Sequence, residues 1–402
     1  MNETASVPRH SGREATRQIL ATVIFTFIAY LTIGLPLAAL PPFVHSKLGF
    51  SSVLAGLAVS VQYLATFVTR ASVGRLTDTM GPKQIVLFGL LCCTAAGLLT
   101  TLGGVMAHHH ALSLTLILLG RLCLGAGESG VATAAIAWAI GRTSSTHSAK
   151  IISWNGVATY GAIALGAPLG IVIENLAAFW MIGVVMALVP LIAYPFAARG
   201  PVTRRARGTQ LPMAHVFTRV LPHGVALALG SLGFGTIASF VTLFFAGRHW
   251  SGAALAVTAF GVFFILSRLL FVGSIAREGG LRVSFFSFLV EALGLLILTF
   301  AGAPIVATIG AALTGFGFAL IFPALGVVAF NRVPATSRGA ALGIFSVFLD
   351  VALGLTGPTA GFLVGFCGYR SIFLIAGLAA IVGAFMMLAL GARLTRPRAE
   401  TA

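Results

Sequence analysis

The chain has 402 residues, of which 58% are hydrophobic and only 8% are charged, and its mean hydropathy is +1.02. A soluble domain carries about 25% charged residues, so this composition excludes a soluble protein and indicates one that crosses a membrane many times. The net charge of +16 does not indicate nucleic-acid binding, because the basic residues are spread over short polar segments instead of forming a patch on a soluble domain.

Twelve apolar runs are each long enough to cross a bilayer, since about 20 apolar residues in a helix span its hydrocarbon core. This pattern predicts an all-α membrane protein with 12 transmembrane helices, which we number as spans one to twelve. The runs lie at about 19–40, 53–73, 84–104, 112–140, 152–173, 178–198, 222–246, 253–275, 283–303, 304–330, 339–364 and 371–391.

One polar connection is longer than the others and follows the sixth run. It carries five arginines and no acidic residue. We therefore predict an N-terminal six-helix bundle over residues 1–198, a cytoplasmic linker over 199–221 and a C-terminal six-helix bundle over 222–402.

The two parts look like repeats. Gly166 and Gly170 recur as Gly357 and Gly361, 191 residues later, and the segment GRLTDTMGPK at 74–83 has a counterpart, GSIAREGGLR, 199 residues later. Repeats related by an axis along the membrane normal are typical of transporters that bind their substrate between two halves, near the midplane.

Lysine and arginine accumulate on one side of the predicted spans. Of the 25 basic residues, 20 fall on the side of both termini, whereas Lys47, Arg248 and Arg370 fall on the other side and Arg121 and Arg268 lie within spans. Cytoplasmic loops carry an excess of basic residues. We therefore predict a multi-pass membrane protein with both termini in the cytoplasm, in contact with the lipid bilayer and not with nucleic acid.

The segment at 74–83 joins spans two and three. Gly74 has no Cβ atom, which predicts a close approach to a neighbouring helix. Gly81 can adopt a positive φ, and Pro82 fits the first turn of the next helix. Asp78 can pair with an arginine or with the N-terminal end of a helix. An ordinary polar loop would explain the cations of this segment but not the spacing of its glycines and its aspartate.

Five residues of this segment match the pattern GxLxDxxGxK: Gly74, Leu76, Asp78, Gly81 and Lys83. In this position the segment resembles the signature loop of the major facilitator superfamily, although Thr79 and Pro82 stand where members often carry basic residues. The resemblance implies two six-helix bundles related by pseudo-two-fold symmetry, which open a central site to each side in turn. It also implies that Asp78 forms a latch with the start of span eleven, around residues 338–342.

Span four carries two ionisable residues, Arg121 and Glu128, which lie two helical turns apart on one face. Charge is costly inside a membrane, so we expect either a binding or proton-coupling pair that lines the central cavity or a buried structural ion pair. The pattern of Leu118, Arg121, Gly125 and Gly127 resembles the fourth-span motif of proton-coupled drug antiporters in this superfamily. That resemblance implies a role for Arg121 in proton transfer.

Two spans combine glycines with a proline, which predicts close-packing faces on bent helices. They are Gly166, Pro168 and Gly170 in span five and Gly357, Pro358 and Gly361 in span eleven. Span five resembles the antiporter motif of the superfamily, although Ala167 separates its glycine from its proline. Ordinary helix packing is the alternative, and the pattern favours export.

Asp350 lies in the middle of span eleven, where it can carry a proton, bind a cationic substrate or hydrogen-bond a neighbouring helix. Glu291 in span nine is predicted to serve packing. Arg70 and Arg268 lie near the ends of spans two and eight and are predicted to extend towards the polar interface. Polar side chains expected to contact the cavity are Tyr30, Gln62, Asn155, Tyr160, Thr236 and Thr242.

The sequence has no GxxxxGK[ST] phosphate-binding loop and no evident pairing of a nucleophile with a base. We therefore expect no enzyme activity, no cofactor and no drive by ATP, and the resemblance to proton-coupled antiporters implies a proton gradient as the energy source. His108, His109 and His110 are adjacent and cannot all face one metal ion, so they predict a solvated loop without a metal site. We expect a monomer.

Three longer stretches, TIGLPLAALPPFV, ISWNGVATYGAIALGAPLG and IFPALGVVA, resemble the YhhS/YfcJ group of bacterial inner-membrane transporters within the superfamily. The resemblance implies a secondary transporter that exports a small organic molecule by proton-coupled antiport. A proton-coupled uptake symporter would use the same residues and is the first alternative. A membrane receptor or sensor that has lost transport is the second.

Overall fold

The computed structural model describes residues 12–143, 148–203, 212–271, 273–334 and 338–395. Within these ranges twelve long helices have the length and apolar composition to cross a membrane, as predicted. We number them α1–α12 in chain order, so each helix has the number of its predicted span. Their bounds are α1 Gly12–Leu37, α2 Ser52–Met80, α3 Pro82–Val105, α4 His110–Arg142, α5 Ser148–Ala177, α6 Phe179–Arg199, α7 Met213–Ala246, α8 Ala253–Phe271, α9 Gly280–Thr299, α10 Pro304–Phe330, α11 Arg338–Cys367 and α12 Tyr369–Thr395.

Short helical pieces complete two of the connections. The helix Leu40–Pro42 and the π-helical turn Phe43–Lys47 join α1 to α2, and the helix Ser274–Glu278 joins α8 to α9. Because twelve crossings return the chain to the side from which it started, Gly12 and Thr395 lie on one side, which we call the termini face. The other side is the opposite face. Helices α2 and α8 run towards the termini face, and α5 and α11 run away from it.

The turn between α2 and α3 is shorter than predicted from the segment 74–83. Helix α2 continues to Met80, because the chain first leaves the helical conformation at Gly81, whose φ is +98°. Pro82 is the first residue of α3. Gly279 has a similar φ of +83° directly before α9. These two glycines are 198 residues apart, one fewer than the spacing read from the glycine pattern of the sequence.

The first six helices and the last six pack in the same order. Helix α3 contacts α4 and α6, and α1 contacts α5; six helices later, α9 contacts α10 and α12, and α7 contacts α11. Two helix pairs form the main contacts between the two sets: α2 with α11, which we call the first seam, and α5 with α8, the second seam. The limits of the two bundles and of their linker stay predictions, and linker residues 204–211 lie outside the described residues.

Small residues allow α5 to lie close to α1. Gly166 and Gly170 of α5 lie against the main chain of Gly34 and Leu35, so a Cβ atom on either α5 glycine would collide with it. Pro168 lies between the two glycines, inside α5, and does not end the helix. A helix of the second seam is therefore anchored to α1 by main-chain contact.

Candidate functional site

The first seam brings α2 and α11 together near the opposite face. Ser52 Oγ donates a hydrogen bond to the main-chain oxygen of Gly361 at 3.0 Å. Gly56 lies directly against Gly357, so neither position has room for a side chain. Pro358 follows in α11, which remains helical. The two halves of the chain are thus in main-chain contact on this side of the membrane.

Further towards the termini face, an ion pair closes the same seam. Arg70 Nε donates to Asp350 Oδ2 at 2.6 Å and Arg70 Nη2 donates to Oδ1 at 3.0 Å. The two side chains are 17% and 3% exposed. The prediction that Arg70 extends to the interface is wrong, because a carboxylate lies within its reach inside the protein. The pair links the two sets of helices, and its two-bond geometry is the strongest that arginine and a carboxylate form.

Glu128 of α4 lies beside this ion pair. Its side chain is buried, and Tyr30 of α1 donates a hydrogen bond to Oε1 at 3.0 Å. The hydroxyl of Thr66, one turn before Arg70 on α2, lies 3.4 Å from Oε2. Glu128 also interacts electrostatically with both members of the Arg70–Asp350 pair. Arg70 thus pairs with Asp350 of the other half of the chain, while Glu128 of its own half lies within electrostatic range of that pair.

Arg121 does not form the predicted ion pair with Glu128. The two residues share a face of α4, but seven residues separate them by about 10 Å along the axis, beyond the reach of an ion pair. Arg121 instead donates from Nε to the Ala58 oxygen at 3.0 Å and from Nη2 to the Val59 oxygen at 3.3 Å. Its Nη1 is buried and has no partner within the described residues. Arg121 therefore joins α4 to the main chain of α2.

The second seam has an arginine at the corresponding level. Gly261 of α8 lies against Ala164 of α5, and one turn on, Tyr160 stacks on Phe264 with ring centroids 3.6 Å apart. One further turn brings the Arg268 guanidinium against Gly156. Arg268 is only 7% exposed, so the prediction that it extends to the interface is wrong for this residue too.

The polar groups around Arg268 are few. Its Nε donates to the Ala319 oxygen at 3.1 Å, and its guanidinium lies over the Phe264 ring, 4.9 Å from the centroid. It also interacts electrostatically with Tyr160. No carboxylate of the described residues forms an ion pair with it. Arg268 is thus a buried cation that has no acidic partner among the described residues.

The remaining predicted cavity residues differ in their surroundings. Asn155 Oδ1 accepts a hydrogen bond from Thr26 at 2.8 Å, which joins α5 to α1. Gln62 is fully buried on α2, and neither its amide oxygen nor its nitrogen has a partner among the described residues. Thr236 donates to the main chain of its own helix, and the hydroxyl of Thr242 is buried without a described partner.

Glu291 lies apart from both seams. Its carboxyl group is buried against Gly230 and Gly233 of α7, and neither oxygen has a hydrogen-bond partner in the described part of the chain. It fills the space that two glycines leave, so its position is one of packing between α9 and α7.

Comparison with known proteins identifies the family. The sequence profile of the Major Facilitator Superfamily matches residues 22–278 and 224–402. The chain belongs to this superfamily. The match covers almost the whole of it, and it agrees with the twelve helices and with the segment at 74–83.

Members of the superfamily from other bacteria are close in sequence. The chain is 51% identical to an uncharacterized MFS-type transporter of Burkholderia pseudomallei (strain 1106a) over 392 residues, which are 97% of this chain and 96% of the other. It is also 51% identical to an uncharacterized MFS-type transporter of Pseudomonas aeruginosa (strain UCBPP-PA14), over 96% of both chains. Among solved structures, a D-xylose-proton symporter matches with a TM-score of 0.77 at 16% identity, covering 92% of this chain and 97% of that one. This structural likeness shows the superfamily fold.

The signature segment of the superfamily lies at the termini-face end of α2. A Cβ atom on Gly74 would meet no atom within 4 Å, so the predicted close approach to a neighbouring helix is not made at this residue. Lys83 is half-buried in the first turn of α3. The side chains of Asp78 and of most of its expected partners at 338–342 lie outside the described residues, so the latch stays a prediction.

The sequence reading missed the partner of Asp350. Arg70 lies near the end of the predicted span 53–73, a position that favours an interfacial arginine, but α2 continues for ten residues beyond it to Met80. This length of helix beyond Arg70 is the signal that the arginine is buried. Thr66, one turn earlier, lies inside the same apolar run, and no sequence pattern marks it.

Proposed function

We propose that this superfamily member is a secondary transporter that couples the export of a small organic molecule to proton entry, by antiport across a bacterial inner membrane. The supporting observation is the Arg70–Asp350 ion pair across the first seam, with Glu128 beside it. We further propose that both termini lie in the cytoplasm and that the protein works as a monomer without a cofactor.

The mechanism uses a permanent cation and two carboxyl groups. Arginine keeps its charge in proteins, whereas a buried carboxyl group can exist with or without its proton. While Asp350 is ionised, Arg70 holds α11 against α2. Protonation of Asp350 removes the charge and most of the attraction, and Arg70 can then turn to Glu128 within its own half. The proton thereby changes which partner Arg70 holds.

This exchange of partners affects the termini face more than the opposite face. The Gly56–Gly357 contact and the Ser52–Gly361 hydrogen bond carry no ionisable group and do not respond to a proton. The ion pair lies on the termini-face side of them and can break alone. Loss of the pair would let α2 and α11 separate there, which is the motion that alternating access requires.

The direction of transport rests on span five. Gly166, Pro168 and Gly170 resemble the antiporter motif, and in the structure the two glycines fix α5 to α1. An uptake symporter would use the same proton site. Inside-out vesicles that accumulate substrate on acidification of their interior support export, and accumulation only in right-side-out vesicles would support uptake.

The experiment that tests the coupling is a substrate-induced pH change in proteoliposomes. A substrate is first found by growth screening of a deletion strain against toxic organic compounds. Addition of that substrate to wild-type proteoliposomes should move protons in the opposite direction. Asp350→Asn should bind substrate but move no protons. Substrate transport without proton movement in the wild type would contradict the proposal.

A further inference from the structure

The two seams have the same backbone plan, which allows them to be compared residue by residue. In each, the two paired helices are in close contact on the opposite-face side of a buried arginine, at Gly56 and Gly357 in the first seam and at Gly261 and Ala164 in the second. The spacing of 198 residues between Gly81 and Gly279 also separates Arg70 from Arg268. The two arginines therefore hold equivalent places in the repeat.

Their partners are not equivalent. The spacing of 191 residues that relates Gly166 to Gly357 relates Thr159 to Asp350. Thr159 is a buried residue on α5, three positions from the Gly156 that Arg268 touches. Where the first seam has a carboxylate, the second has a neutral hydroxyl. The arginine is present in both seams, and the counter-ion is present in one.

A buried arginine without a counter-ion is costly, because it cannot lose its charge and the interior of a membrane protein solvates it poorly. The stacking on Phe264 and the hydrogen bond to Ala319 offset part of this cost. A leucine or methionine could pack against Gly156 without the cost. The presence of Arg268 at this costly position therefore indicates an anionic group that binds to it and is later released.

We infer that Arg268 is the anion-binding residue of the transporter and that its substrate is an organic anion with an apolar body. The inference rests on the proposed transport function and names its substrate class. Arg268 bonds through Nε to the main chain, which leaves its two terminal nitrogens to bind a carboxylate in the two-bond geometry that arginine favours. Bound substrate then occupies the place that Asp350 holds in the first seam.

The aromatic residues next to Arg268 favour an apolar body on this anion. Tyr160 is half-buried and stacks on Phe264, and its edge meets the rings of Phe234 and Phe318 at centroid distances of 6.0 and 6.4 Å. These rings come from α5, α7, α8 and α10, so both halves contribute. An anion held by Arg268 would lie against them, where a flat ring packs well.

The test is a binding assay on the purified full chain in detergent, without a proton gradient. The probes are benzoate, 4-hydroxybenzoate and salicylate, with benzamide and benzylamine as neutral and cationic analogues, and the readout is the shift in thermal unfolding temperature. We expect at least one carboxylate to stabilise the wild type and neither analogue to do so. Arg268→Gln should weaken that binding at least tenfold. Arg282→Gln, at an exposed ion pair with Glu278, is the matched control and should bind as the wild type does.

Two further variants keep the test decisive if Arg268→Gln does not fold. Arg268→Lys keeps the charge without the planar fork, so it should bind the carboxylate more weakly but measurably. Thr159→Asp supplies the missing counter-ion and should abolish carboxylate binding while raising the unfolding temperature of the free protein. Carboxylate binding that survives in Arg268→Gln or Thr159→Asp, stabilisation by benzylamine, or no stabilisation by any carboxylate would overturn the inference. Carboxylate binding in a protein that moves no protons would refute the proposed coupling and leave this inference standing.

Discussion

The two seams between the halves of this transporter differ in one charge. Both join antiparallel helices, and in both a close contact between the helices lies on the opposite-face side of a buried arginine. In the first seam Asp350 neutralises Arg70, and in the second no described carboxylate neutralises Arg268. The scaffold and the cation thus occur in both seams, and a carboxylate faces the cation in one of them. On our proposals, the first seam responds to a proton and the second binds an anion.

The largest effect is expected from breaking the ion pair of the first seam. Arg70→Gln leaves Asp350 buried without its counter-ion, which costs about 3–5 kcal/mol. We expect little folded protein and no transport, measured by yield of monodisperse protein and by uptake in vesicles. Asp350→Asn should fold better than Arg70→Gln, because Arg70 can still turn to Glu128. The Asp350→Asn variant should nevertheless not couple substrate transport to proton movement.

The surface pair Arg282–Glu278 is the control for that comparison. Its side chains are 68% and 50% exposed and four residues apart, so its removal costs about 0.5 kcal/mol or less. Glu278→Gln should leave both yield and transport unchanged. A similar loss of transport in Glu278→Gln and in Asp350→Asn would mean that the ion pair of the first seam has no specific role in transport.

Glu128 adds a further difference between the two seams, because it is a nearby carboxyl group to which Arg70 can turn, and Arg268 has no such neighbour among the described residues. Glu128→Gln keeps the shape and the hydrogen bond from Tyr30 but removes the charge. We expect folded protein that exchanges substrate across the membrane but moves few or no protons. Counterflow and proton movement measured in the same proteoliposomes check this. Full proton coupling in Glu128→Gln would remove Glu128 from the proton site.

Arg121 is expected to show a structural effect. Arg121→Ala removes two hydrogen bonds between α4 and α2 and leaves a cavity, so it should lower the free energy of unfolding by about 2–5 kcal/mol. Transport should fall in proportion to folded protein. The measurements are thermal unfolding and transport activity divided by the amount of folded protein. A direct role of Arg121 in transport would give a variant of normal stability that does not transport.

The smallest effect is expected at a glycine outside the contact of the first seam. Gly56→Ala should disrupt the contact with Gly357, whereas Gly74→Ala meets no neighbour and should stabilise α2 by about 1 kcal/mol through its helix propensity. Unfolding temperatures of the two variants measure the difference. Equal changes in unfolding temperature for Gly56→Ala and Gly74→Ala would mean that α2 and α11 are not in close contact at Gly56.

Composition and the lengths of the apolar runs predict the twelve helices, because a bilayer permits few solutions for such runs. Their arrangement as two six-helix bundles is predicted from the internal repeat and from the resemblance of the segment at 74–83. The position of Gly81 could also be predicted, since its conformation depends on its own residue type. The pairing of charges could not. Arg121 and Glu128 are close in sequence but not in space, whereas Arg70 and Asp350 are 280 residues apart and in contact. The packing of the two halves decides which buried arginine pairs with which carboxylate, and this packing cannot be read from the local sequence.

The central claim is that a proton on Asp350 opens the first seam at the termini face. The direct measurement is the distance between spin labels at Met80, at the end of α2, and at Asn331, after α10, in a variant whose four cysteines are replaced by serine. The labelled protein should show a longer distance at pH about 5 than at pH about 9, which bracket the titration of carboxyl groups that are buried and paired. Asp350→Asn should show the longer distance at both values. A wild-type distance that does not change with pH, or an Asp350→Asn variant that changes as the wild type does, would contradict the account.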